Sequence, residues 1–107
     1  MTIMQGDSYN IPFLFVMIDD ETGEEIPITD DLVTDVSISF DDITKTMNDG
    51  DITYNDGDFL FPMTQEDSFS LSGIVGVQAT LTLAGGDIVG AEMEYVAIIP
   101  ADARANA

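Results

Sequence analysis

Apolar and polar residues alternate along most of this chain, most regularly in its second half. Val75, Val77, Ala79, Leu81 and Leu83 share one parity, and Gly76, Gln78, Thr80 and Thr82 share the other. A period of two predicts a strand with one buried face and one wet face. Gly85-Gly86-Asp87 then predicts a hairpin. The expected return strand carries Ala91, Met93, Tyr95, Ala97 and Ile99 inward, with Glu92 and Glu94 outward, and ends at Pro100. Val36, Ile38 and Phe40 alternate with Asp35, Ser37 and Ser39 as another half-buried strand. Tyr9 to Ile18 breaks the rule, because it is apolar on both parities. Such a run is expected to lie centrally or to be covered on both faces. Pro12 places its beginning near an edge or a bulge.

Punctuation divides these strands. Asp19 to Glu25 is a turn with Gly23 at its tip, Ile26-Pro27-Ile28 is short and extended, and Thr29 or Asp30 caps one loose turn. Asn48-Asp49-Gly50-Asp51 is echoed by Asn55-Asp56-Gly57-Asp58, and both predict tight hairpin turns. Phe59, Leu60 and Phe61 form an apolar run expected to stop at Pro62, which has no N–H for a ladder. Thr64-Gln65-Glu66-Asp67 reads as a helix start. Thr64 is the cap, the acids suit the positive end of the dipole, and Phe69 and Leu71 face back to a core. Gly73 ends that turn and releases the next strand.

The pattern holds seven to eight short strands, one short helical turn and no helix-length amphipathic segment. Half-apolar sheets must bury their faces against each other, so an all-β, antiparallel β-sandwich is expected. Residues 1–100 are predicted to form this one domain, and 101–107 a flexible tail. A chain of 107 residues, 45% of them hydrophobic, suffices for one core.

Composition removes several chemistries. There is no cysteine and no histidine. Disulfides, thiolate metal sites and nucleophile–histidine catalysis are therefore excluded. No apolar run approaches the roughly 18 residues of a membrane span, and no secretory leader is visible. Acids number 21 against two basic residues, Lys45 and Arg104, for a net charge of −19. Nucleic acid and anionic membranes are poor partners for such a surface, while a basic protein surface or cations would suit it.

Asp49, Asp51, Asp56 and Asp58 flank the two turns and offer the hard oxygen ligands of calcium. EF-hand spacing fails there, because Tyr54 stands where the loop glycine should fall, and Asp and Asn suit turns in any case. A glycosidase pair lacks its sugar-stacking setting, since the chain has no tryptophan. Phe13, Phe15, Phe40, Phe59, Phe61, Phe69 and Tyr95 are expected to pack the core rather than line a ligand pocket. Tyr9 and Tyr54 are candidate interface residues, with Glu92 and Glu94 on the last strand. That strand and the first residues could pair with neighbouring subunits through their edges, or their charges could block such pairing. No catalytic residue and no cofactor site is predicted.

The order of motifs resembles small tailed-phage structural proteins and the N-terminal immunoglobulin-like domain of phage baseplate upper proteins. It rests on Met4-Gln5-Gly6-Asp7-Ser8-Tyr9, the strand from Ile11 to Met17, Val33 to Phe40, the stretch Gly50 to Ser68 and the hairpin Val75 to Gly90. These cover most of the chain, and none is catalytic. The resemblance implies an immunoglobulin-like sandwich with a role in virion structure or assembly. It implies other virion proteins as partners, a symmetric or homo-oligomeric setting, and a place at the tail or baseplate. A capsid decoration protein is the nearest alternative. A surface calcium- or carbohydrate-binding module is the alternative from another class. Baseplate upper proteins continue into a fibre-anchoring region, whereas this sequence stops at Ala107.

Overall fold

The computed structural model describes residues 2–91 and 94–101. Within them the chain forms eleven strands and one short α-helix. In order the strands are β1 (Thr2–Met4), β2 (Tyr9–Phe13), β3 (Val16–Ile18), β4 (Glu25–Pro27), β5 (Val33–Phe40), β6 (Ile43–Thr46), β7 (Thr53–Asn55), β8 (Asp58–Met63), β9 (Gly73–Leu83), β10 (Ile88–Gly90) and β11 (Glu94–Ile99). Helix α1 (Gln65–Ser70) joins β8 to β9, and a 3-10 turn (Asp30–Leu32) precedes β5.

The strands make an all-β sandwich. One sheet runs β1-β11-β9-β5-β6, with β10 also paired to β9, and the second runs β2-β8-β7. Taking β10 and β11 as one interrupted strand, these orders are the G-F-C-C′ and B-E-D sheets of an immunoglobulin-like Greek key. The first strand lies parallel on β11, and the other pairings are antiparallel. The hairpin β3–β4 stands apart as its own two-stranded sheet.

The alternation read from the sequence is what closes the core. Val36, Ile38 and Phe40 of β5, Val75, Val77, Ala79 and Leu81 of β9, and Phe59, Phe61 and Met63 of β8 are all buried. Phe40 spans the two layers. Its ring centroid lies 4.7 Å from that of Phe61 and 6.1 Å from that of Phe13, the latter edge-on. In the β7–β8 hairpin, Asp56 and Gly57 carry φ of 51° and 93°. Positive φ at both central residues is the type I′ turn that Asp-Gly favours.

Five expectations need correction. The return strand is inverted. Gly90 stands opposite Thr80 and Glu94 opposite Val77, so four steps on this strand match three on β9. One extra residue flips every following side chain. Val96 and Ile98 are therefore buried, and Tyr95 is 66% exposed. Met93 of the expected inward set lies outside the described residues.

Second, Tyr9 to Ile18 is not one covered strand. It breaks between Phe13 and Val16, and all three residues of β3 are exposed. Third, the Asn48 turn is no hairpin, because β6 pairs with β5 and β7 with β8. The turn carries the chain from one sheet to the other. Fourth, β8 runs through Pro62 to Met63. The Pro62 carbonyl accepts from the Lys45 ammonium at 2.6 Å, so the residue turns away from β2 and no ladder bond is lost. Fifth, Phe69 is half exposed, and its neighbour Ser68 is buried in its place beside Leu71. Of the tail predicted from residue 101, Ala101 donates its amide to Gln5 Oε1 at 3.0 Å, and 102–107 lie outside the described residues.

Candidate functional site

Asp49, Asp51 and Asp56 are exposed, and Asp58 is half-buried. Among the described residues, no three acids come together closely enough to hold a metal ion. The structure thus does not gather the four calcium candidates into one site. Self-repulsion of the acidic surface remains, and salt screens it over about 10 Å at 0.1 M and about 3 Å at 1 M. The melting temperature is expected to rise with sodium chloride. Calcium chloride at matched ionic strength should raise it no further. A larger response to calcium would reveal a specific site.

The opening segment and helix α1 form a structural lock. The Gln5 side-chain amide donates to the Leu71 carbonyl at 2.7 Å, and the Gln5 amide donates to the Ile99 carbonyl at 2.9 Å. Gly6 donates its amide to Ser68 Oγ at 2.9 Å, and that hydroxyl reaches the Asp7 carbonyl at 2.9 Å. The opening segment is thereby fastened to α1. Thr64 caps that helix through a box, accepting from the Asp67 amide while its own amide donates to Asp67 Oδ2. Ser68→Ala strands the Gly6 amide and is expected to cost about 1–3 kcal/mol. Urea unfolding measures it, and a cost under about 0.5 kcal/mol would show that the lock is incidental.

Tyr9 is partly exposed beside Asp7. Burial, and behind it the negative charge of Asp7, raise the pKa of its phenol. It therefore stays neutral at ordinary pH and is available for contact. Tyr54 is half-buried with its ring 4.9 Å from that of Phe59, so it belongs chiefly to the core margin. Glu94 is exposed, and Glu92 lies outside the described residues.

A groove that the sequence did not predict lies at the β3–β4 end of the molecule. Its volume is about 450 Å³. Its floor is the inward face of β9, with Val77, Ala79 and Leu81. Phe13 to Ile18 form one wall, and Val89, Gly90, Ala91 and Glu94 form the other. Leu14 and Ile18 are 60% and 61% exposed, so more than half of each apolar side chain meets water. Contiguous apolar exposure of this kind marks an interaction surface rather than a stray surface residue.

No family model, curated protein or solved structure matches this chain.

The residues of the groove therefore speak through their own chemistry. Among the described residues, Glu94 is the one acid, base or nucleophile that lines it, with its carboxylate at the rim. The sequence did carry a signal, the run that is apolar on both parities. Such a run predicts cover within the chain, but the described residues leave one side open.

Proposed function

We propose that this chain is a non-enzymatic structural protein of a tailed-phage virion, a baseplate- or tail-associated β-sandwich module that mediates subunit assembly. The observation that carries the reading is the exposed apolar end of the sandwich. The β3–β4 hairpin and the residues before it present Leu14, Val16, Met17 and Ile18 on one side of a groove, and β10 of the sandwich presents Val89 on the other. Apolar side chains held in water by a well-fastened scaffold are stabilised by covering them, and a neighbouring subunit does so. The resemblance of most of the chain to tailed-phage structural proteins supplies the setting. Gln5, Gly6 and Ser68, which lie within the motifs that suggest it, fasten the framework. The partners are other virion proteins with basic surfaces, because a charge of −19 repels nucleic acid and anionic membranes.

Electron microscopy of purified source-virus particles with gold-labelled antibody tests this. Label at the tail tip or baseplate is expected. Label over the head would replace the reading with a capsid decoration protein. Intact particles without label, although the chain is expressed in infected cells, would overturn both.

A further inference from the structure

Strand edges in this fold are not equivalent. Pro62 faces its carbonyl to Lys45 and so turns its backbone away from β2. Pro62 pairs with Asn10 and Leu60 with Pro12, and the strand period puts these pairs in the same phase. Pro12 therefore turns its nitrogen to the outer edge of β2, where a proline blocks further pairing. The return strand carries no such block between Ile88 and Ala91. The Leu83 amide donates to the Asp87 carbonyl at 2.7 Å, and the Ala91 amide donates to the Ala79 carbonyl at 2.9 Å. Asp87, Val89 and Ala91 thus spend their backbone groups on β9. The intervening Ile88 and Gly90 turn theirs to the outer edge. Among the described residues, β10 has β9 as its one strand partner.

This open edge is one lip of the apolar groove. Val89 stands opposite Leu81 and shares its inward face, and Glu94 stands opposite Val77 on that same face. A strand laid along β10 would bond to Ile88 and Gly90 and send alternate side chains toward the groove floor. Acids bound the place. Glu94 lies on the rim, the β3–β4 turn after Ile18 carries Asp19, Asp20, Glu21 and Glu24, and Glu25 opens β4.

Charge selects the occupant. A second copy would set −19 against −19 and would be repelled unless salt is high. A small apolar ligand would leave the amides and carbonyls of the edge unused. Resting on the assembly reading above, we propose that β10 and the groove take up an extended apolar segment of another protein, flanked by Lys or Arg, as an added strand. The flanking cations meet Glu94 and the acidic turn, and the alternate apolar side chains fill the groove.

The test uses two synthetic ten-residue peptides of alternating valine and threonine, one ended by lysines and one by glutamates. Amide hydrogen exchange of the full chain is followed with each. The lysine peptide is expected to bind saturably and to slow exchange at Ile88 and Gly90. The glutamate peptide should do neither. Glu94→Gln should weaken the lysine peptide about threefold, in line with a rim ion pair. Leu14→Asp changes a side chain that is mostly in water, so it should keep the melting temperature and abolish binding. Equal binding of both peptides, protection confined to other strands, or no binding would overturn the proposal. So would slowed exchange at Ile88 and Gly90 without peptide in a concentration-dependent dimer, which would make a second copy the occupant. Antibody label on particles reports separately, so loss of peptide binding with label retained defeats this inference and spares the assembly reading. Binding without label does the reverse.

Discussion

Phe40→Ala is expected to lower the unfolding free energy by about 3–5 kcal/mol. Phe40 is fully buried in β5, and its ring touches Phe61 of β8 and Phe13 of β2 across the layer boundary. Truncation removes the transfer free energy of the ring and leaves a cavity between two sheets that Phe59 and Phe61 hold in place. Aromatic pairs add about 0.5–1.5 kcal/mol beyond their area. Domains of this kind are commonly stable by only about 5–15 kcal/mol, so one ring is a large share. Urea denaturation should show a much lower midpoint with an unchanged slope. Phe40→Leu keeps most of the volume and should cost clearly less. A loss below about 1 kcal/mol for Phe40→Ala would mean that the two sheets do not meet at this ring.

Lys45→Met is expected to cost about 1.5–3 kcal/mol, large for one residue at the core margin. In a chain with two basic residues, Lys45 donates to Asp67 Oδ2 and to the Pro62 carbonyl, each at 2.6 Å. Its ammonium also lies 5.1 Å from the Phe61 ring centroid. The side chains of Lys45 and Asp67 are 16% and 20% exposed, so solvent screens the pair only partly. One cation thus ties β6 to β8 and to the helix cap. Met replaces the apolar stem and removes the charge, which leaves the Asp67 carboxylate short of a partner. Asp67→Asn alone and the double variant complete a cycle, with a coupling of about 1 kcal/mol or more expected. Additive single costs would show that the pair does not act as a unit.

The same carboxylate predicts a pH dependence. Burial alone would push the Asp67 pKa up, but the hydrogen bonds from Lys45 and Thr64 outweigh it and hold the group below its ordinary value. A depressed folded pKa stabilises the fold above the unfolded value of about 3.9 and ceases to do so as pH falls through the folded one. The stability gap between wild type and Lys45→Met should be full at neutral pH and shrink below about pH 4. A gap that persists unchanged at pH 2 would contradict the assignment of that stability to ionised Asp67.

The strands of the core were legible because they obey a simple period. Val36, Ile38 and Phe40, and Val75 to Leu81, face where their parity puts them. Thr64 and its capping partner were legible from local chemistry alone, and so was the Asp56-Gly57 turn. Parity failed at the return strand, because one extra residue between Gly90 and Glu94 leaves no mark in composition yet inverts all that follows. Glu94 is consequently on the inward face at the groove rim, where an acid on the expected outward face would have meant nothing. The groove itself was half legible. Leu14 to Ile18 announced an apolar surface, but a sequence does not say whether its cover lies in the same chain. Lys45 shows the reverse case. A lone cation among acids reads as surface, and its role depends on Asp67 and Pro62, which only the fold brings to it.

A neighbouring subunit seated on the open end of this sandwich should be within cross-linking reach of Leu14. A photoreactive phenylalanine at Leu14, in particles assembled with the variant chain, tests it most directly. Leu14 lines the groove and is mostly exposed, so the substitution should spare the core. One dominant adduct is expected, to a different virion protein, on an apolar stretch flanked by Lys or Arg. Particles that contain the chain yet give no adduct, or adducts between two copies of this chain, would contradict it.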